Sequence, residues 1–281
     1  MLLIIHTLGL PFLACVLMSF ILGYLGTHVI KREVIFIDIA LAQIAAVGAI
    51  VVHMLFKVHG NSLVASLFSF GCVLLAAGFY AFVRSMITQI SLEAIIGISY
   101  AIAAAAALFL VGIAPGGHMH IQHLLSGSVL WTSGKQVIIS LVVFSIVGIC
   151  FYLIRKPIDG ISNNYQGSSV KNMRTVFWDF IFYTLLGIII TISVQTAGIV
   201  VVFAYLIIPA TISAVFSARM RLITVWTVAI IASLGGLLFA YKCDFSIGPA
   251  IAMFLGCELV IVGLIHKFRQ TRGSSKYTYS Y

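Results

Sequence analysis

Nine stretches of this chain stay apolar for long enough to cross the ~30 Å of hydrocarbon in a bilayer. They run over 6–25, 34–55, 62–83, 91–113, 136–154, 178–195, 197–217, 222–241 and 246–266. A soluble core cannot absorb so many continuous apolar runs, because a folded chain still leaves much of its surface wet. Charged residues make up only 8% of the sequence, against about 25% in soluble domains. The runs are unbroken and do not alternate, which excludes a β-barrel. The expected fold is all-α: a polytopic membrane bundle of about nine helices, eight if 178–195 and 197–217 form one bent segment. Only Gln195, Thr196 and Gly198 mark a break between those two.

Thirteen of the sixteen Lys and Arg fall on one side if the N-terminus lies outside, and only Lys57, Lys135 and Lys242 fall on the other. This positive-inside asymmetry predicts a cytoplasmic C-terminus and supports the nine-span count. The net charge of +9 is then a matter of orientation and not of nucleic-acid binding. One membrane domain is expected over 1–266, with a cytoplasmic tail over 267–281 whose end, RGSSKYTYSY, reads as disordered. The N-terminal run has no basic residues before it and reads as a retained span. All cysteines but Cys243 lie in apolar runs and none forms a C-x-x-C pair, so they read as small apolar fillers.

Two connections exceed a turn. The outer one, 114–135, begins with Pro and Gly and is expected to carry a short interfacial helix near 120–131, with Trp131 at headgroup level. The inner one, 155–177, is the only sizeable polar segment, and a short helix is expected in it.

Several residues could carry chemistry. His118, His120 and His123 form H-x-H-x-x-H in the outer loop, and neutral imidazole suits Zn²⁺. The alternative is that they are ordinary interfacial residues. His28 and His266 are placed on the inner side. Asp38, Glu93, Asp179 and Glu258 lie inside or at the ends of spans, where an ionisable group is costly and commonly faces a pathway. Glu93 and Asp179 could instead be acids favoured at helix N-termini, with Asp179 the more structural of the pair. Glu258 is the deepest, and a polar partner on a neighbouring helix is expected. Gly23 and Gly26, Gly112 and Gly116, and Gly235 and Gly236 are small-residue spacings that let helices approach closely. The sequence holds no G-x-x-x-x-G-K-[ST], H-E-x-x-H or G-x-S-x-G, so neither ATP hydrolysis nor the corresponding protease and hydrolase chemistry is encoded in these residues.

Residues 178–220 resemble the signature region of the zinc/manganese/iron permease family of ABC importers. Ser193, Val194, Gln195, Gly198, Val202, Leu206, Ile208, Pro209 and Ala210 carry the pattern S-V-Q-x-x-G-x-x-x-V-x-x-x-L-x-I-P-A. SLEAIIGISYA (91–101) and HLLSGSVLW (123–131) resemble two further family segments, in the right order. REVIFIDIALAQIAAVG (32–48) resembles the segment usually written G-D-A-L-S-H-A. Here Asp38 matches, while Ala42 and Gln43 stand in place of Ser and His. The resemblance, from about residue 10 to 266, implies the membrane subunit of an ATP-driven metal importer. It further implies a homodimer in the bacterial inner membrane, cytoplasmic ATPase subunits that bind the ATP, and an extracytoplasmic solute-binding protein.

The transported ion is then a divalent metal, Zn²⁺ ahead of Mn²⁺ because the outer side is rich in imidazole and poor in carboxylate. His118, His120, His123, Asp38, Glu93 and Glu258 are the pathway contacts expected on this reading. The ATPase should dock on 155–177, where the family often has an acidic D-P-E stretch followed by Gly. This chain has Ile161, Ser162, Asn163, Asn164, Tyr165 and Gln166 there, and Asn172 further on, which can take the left-handed conformation Gly would have supplied. Two rivals are an ion-coupled secondary metal carrier, which commonly places several ionisable groups at mid-membrane, and a membrane-embedded enzyme.

Overall fold

The computed structural model describes residues 2–56, 63–86, 89–113, 133–163, 165, 173–216 and 220–274. Among them are ten helices: α1 (Leu2–Lys31), α2 (Ile37–Phe56), α3 (Leu63–Met86), α4 (Leu92–Ile113), α5 (Gly134–Leu153), α6 (Arg155–Asn163), α7 (Met173–Ala197), α8 (Ile199–Ala214), α9 (Arg221–Cys243) and α10 (Ile247–Ser274). Eight of these are long and apolar enough to cross a membrane. The two others are α6, which is short and polar, and α8, which is apolar but has only 16 residues.

Each of the nine apolar runs therefore becomes a helix, and the run 197–217 becomes one too short to span unaided. The segment 178–217 is two helices, not one bent one. Gly198 separates them with φ 83° and ψ 161°, a backbone region essentially confined to glycine. The chain thus turns at a residue that only lacks a Cβ, and Ile199 starts a new helix without a side-chain cap. The last helix runs to Ser274, so residues 272–274 of the expected disordered end continue α10, and 275–281 lie outside the described residues. The expected outer helix near 120–131 lies outside the described residues.

Local chemistry fixes several ends. Ser133 accepts from the Gln136 amide at 3.3 Å while Gln136 Oε1 accepts from the Ser133 amide at 3.0 Å, a reciprocal cap that starts α5. At the end of α1 the Val34 amide reaches back to the Val29 carbonyl and the Glu33 amide to that of Ile30. Glu33 sits at φ 55°. This is the Schellman arrangement, with Val29 and Val34 both fully buried as its apolar pair. The turn leaves Arg32, the residue before Glu33, aimed back into the bundle.

The core lies between α1, α2, α7, α8, α9 and α10. α8 packs on α1, α9 and α10, and ten of its residues are buried. A Cβ built on Gly26 would fall on the Leu206 carbonyl oxygen, and one on Gly236 would lie 2.7 Å from the Ile251 Cα. Two of the three expected glycine pairs are therefore points of close helix approach. Gly112 faces open space, and Gly116 lies outside the described residues. All five cysteines are free, but only Cys15 is fully buried; Cys243 and Cys257 are exposed.

Candidate functional site

One end of the bundle gathers the polar chemistry. α1 and α3 end there, α2, α4 and α7 begin there, and α6 lies across it. Arg32 and Arg84 both reach Asp179 on α7: Arg32 Nη1 donates to Asp179 Oδ1 at 2.6 Å, and Arg84 Nη1 donates to Oδ2. Asp179 and Arg32 are each 1% exposed. Two guanidinium groups thus share one carboxylate in a low-dielectric interior, leaving a surplus positive charge. Arg32 Nη2 is buried without a hydrogen-bond partner.

Aromatic faces take up that surplus. The Arg32 guanidinium lies 4.0 Å over the Phe182 ring, and that of Arg84 lies 3.5 Å over Tyr165. Desolvated contacts of this kind contribute about 2 kcal/mol. Arg84 Nη2 also donates to the Tyr165 carbonyl at 2.8 Å. The Tyr165 hydroxyl bonds that of Tyr183 at 2.8 Å. Burial, reinforced by the Asp179 charge, pushes the Tyr165 phenol above its usual range, so it remains a neutral hydrogen-bonding group.

The same network holds α6. Ser162 Oγ accepts from Arg32 Nε at 2.9 Å and lies 3.1 Å from His28 Nδ1. Asn163 Oδ1 accepts from Lys31 Nζ at 2.8 Å. Ile158 is fully buried beneath the helix, while Ile161 is half-buried. α6 follows α5 after the single residue Ile154, so its position is fixed from both sides. The polar segment expected over 155–177 thus contains a helix tied mainly to α1. Asn164, Gln166 and Asn172 lie outside the described residues.

The candidate pathway acids separate into two places. Asp38 and Glu93 open α2 and α4, two helices packed on each other, at this same end. Asp38 is 1% exposed, and its Oδ1 has no hydrogen-bond partner. Glu93 Oε1 accepts from the Phe36 amide at 3.1 Å, pinning α4 to the turn between α1 and α2, while its Oε2 is buried without a partner. Glu258 stands apart on α10. Its Oε2 is buried without a hydrogen-bond partner among the described residues, where a polar group on a neighbouring helix was expected. The Tyr205 hydroxyl on α8 bonds that of Ser233 on α9.

His118, His120 and His123 lie outside the described residues. Among the described residues no three His, Cys, Asp or Glu side chains converge as a metal nest. Of the family-signature residues, Gly198 makes the helix break, Pro209 is buried inside α8, and Gln195 is exposed near the end of α7.

Sequence reasoning placed Arg32 and Arg84 in loops as orientation charges and missed that they are buried partners of Asp179. It was right to read Asp179 as structural, but the helix-terminus explanation fails, because α7 starts at Met173 and puts Asp179 in its second turn. The available signal was topological. Two arginines closing spans and one acid opening a span were all assigned to the same end.

Comparison with known proteins fits this architecture. A probable metal transport system membrane protein of Chlamydia pneumoniae is 23% identical over 256 residues, 87% of this chain and 84% of its own length. The manganese transport system membrane protein MntB of Synechocystis is 29% identical over 62% of this chain and 57% of its own. The solved structure of PsaBC from Streptococcus pneumoniae in complex with Fab shares the fold, with a TM-score of 0.73, 18% identity, and coverage of 92% of this chain and 91% of that one. The sequence pattern of the ABC 3 transport family matches residues 5–266, and the chain, with its eight span-length helices, belongs to that family.

Proposed function

We propose that this chain is the membrane-spanning permease subunit of an ATP-driven importer of divalent transition metal ions in a bacterial inner membrane. The polar end of the bundle faces the cytoplasm, and the N-terminus lies outside. Two copies form the pathway. ATPase subunits dock on α6 and the segment after it, and an extracytoplasmic binding protein delivers the ion.

The observation that carries this reading is α6 itself. It is a short polar helix laid across the basic end of a family bundle and locked to α1 by Ser162 and Asn163. Such a helix can transmit a push into the spans without being a span. Membership of an ABC transport family favours this division of labour over an ion-coupled carrier.

Two observations point to different cargo. The outer histidines 118, 120 and 123 are soft donors and favour Zn²⁺, which is the preferred reading. The inner acids Asp38 and Glu93 are hard oxygen donors and suit Mn²⁺, the ion named for the Synechocystis relative. Stimulation of ATP turnover in the reconstituted complex with its binding protein, run with each metal, decides between them.

In the same assay, replacing Ile161–Asn164 with Gly-Ser residues should leave the complex assembled while metal-stimulated turnover falls to the unstimulated rate. Wild-type stimulation in that variant would remove α6 as the coupling element.

A further inference from the structure

A cavity of about 700 Å³ opens between α1, α5, α6 and the start of α9. Its wall changes character along its length. Phe20, Ile21 and Phe144 line the part within the spans, whereas Lys31, Arg155 and Arg221 line the part at the basic end. Along α1 the lining extends from Leu17 to Lys31, about 21 Å at the helical rise. That exceeds the ~15 Å of hydrocarbon in one leaflet, so the slot reaches from mid-membrane to headgroup level.

The three cations face one acid in the wall, Asp159, which lies 3.7 Å from the His28 ring, so the wall holds more positive than negative charge. Lys31 donates to Asn163 and Arg155 lies 4.7 Å over the Tyr152 ring, but neither these two nor Arg221 forms an ion pair among the described residues. Arg221 Nε is buried with no hydrogen-bond partner among the described residues. Among the described residues the cavity therefore offers an apolar slot capped by net positive charge.

We infer that this cavity binds an anionic phospholipid of the leaflet at the basic end, with acyl chain along α1 and α5 and phosphate between Arg155 and Arg221. Basic pockets between spans on the cytoplasmic side commonly hold anionic headgroups. Other occupants fit the wall less well. A divalent cation would meet three like charges. A second copy packed symmetrically on this face would bring the same three cations against themselves. The lining includes none of Asp38, Glu93 and Glu258, and the inference does not depend on which ion is carried.

The test is native mass spectrometry of the purified full chain, delipidated in detergent and titrated with phosphatidylglycerol or phosphatidylcholine of matched chains. Each cation near a headgroup strengthens anionic lipid binding by about fivefold. Phosphatidylglycerol should thus be held over phosphatidylcholine by about 25-fold, and Arg155→Gln/Arg221→Gln should bring the ratio close to unity.

Gly148→Leu tests the slot with the cations left in place. A Cβ at Gly148 meets only Ile21 Cδ1, at 3.9 Å, so the backbone tolerates the change, and retention of both lipids should fall together. Should the double variant fail to accumulate, Gly148→Leu alone decides, because undiminished lipid retention there overturns the proposal. Displacement of the lipid by inorganic phosphate at matched concentration would also overturn it, in favour of a free-phosphate site. So would a change of oligomeric state in the double variant with an unchanged lipid ratio, which would assign the face to a second copy.

Discussion

Replacing Asp179 with Asn is expected to lower the melting temperature of the purified protein by on the order of 10 °C. The substitution keeps shape and removes charge, so two arginines remain buried without their shared carboxylate. Removing one partner of a buried ion pair costs about 3–5 kcal/mol, a large part of the ~5–15 kcal/mol that holds a typical domain together. The ring faces of Phe182 and Tyr165 hold part of the Arg32 and Arg84 charge but cannot replace an anion. A triple variant, Arg32→Met, Arg84→Met and Asp179→Leu, should recover most of the lost stability, because a well-packed apolar replacement of a buried ionic triad is commonly neutral or stabilising. Its metal-stimulated ATP turnover should nevertheless stay low, since Ser162 then loses the Arg32 Nε bond that holds α6. An Asp179→Asn protein that melts with the wild type would show that the network contributes nothing net.

The second large effect is expected at Gly26. A methyl group there would occupy the position of the Leu206 carbonyl oxygen. This obstacle is backbone, which cannot change rotamer, and it belongs to a helix wedged between α1, α9 and α10. Gly26→Ala should cost about 1–3 kcal/mol or more by overpacking. Gly97 supplies the opposite sign from the same chemistry. It lies within α4 with nothing within 4 Å of an added Cβ, so Gly97→Ala should stabilise by about 0.5–1 kcal/mol through reduced chain entropy alone. Thermal melts of the two variants in one detergent check both. Equal shifts of the same sign would show that Gly26 is not a close-approach point.

The fold was legible because a bilayer imposes length and polarity on every span, and the basic residues mark one side. Nine apolar runs therefore matched nine helices, and the polar inner connection held α6. What stayed hidden depends on three-dimensional convergence. Arg32 looks like any basic residue closing a span until the turn at Glu33 aims it inward. Asp38 and Glu93 are 55 residues apart in sequence, and only the pairing of α2 with α4 brings them together. That Glu258 Oε2 is buried without a hydrogen-bond partner among the described residues was equally invisible, because sequence gives its depth and not the face it presents.

The brevity of α8 has a consequence for how the protein is made. Its 16 residues extend about 24 Å, short of the ~30 Å of hydrocarbon. A nascent segment of that length enters lipid poorly by itself, and it finds most of its cover against α1, α9 and α10. Two of those three are synthesised after it. The centre of the bundle must therefore wait, incompletely housed, until the last quarter of the chain has emerged. A product truncated after residue 220 would possess most of its spans and still have no finished interior. Quality-control proteases should recognise it at α8, however intact its N-terminal half.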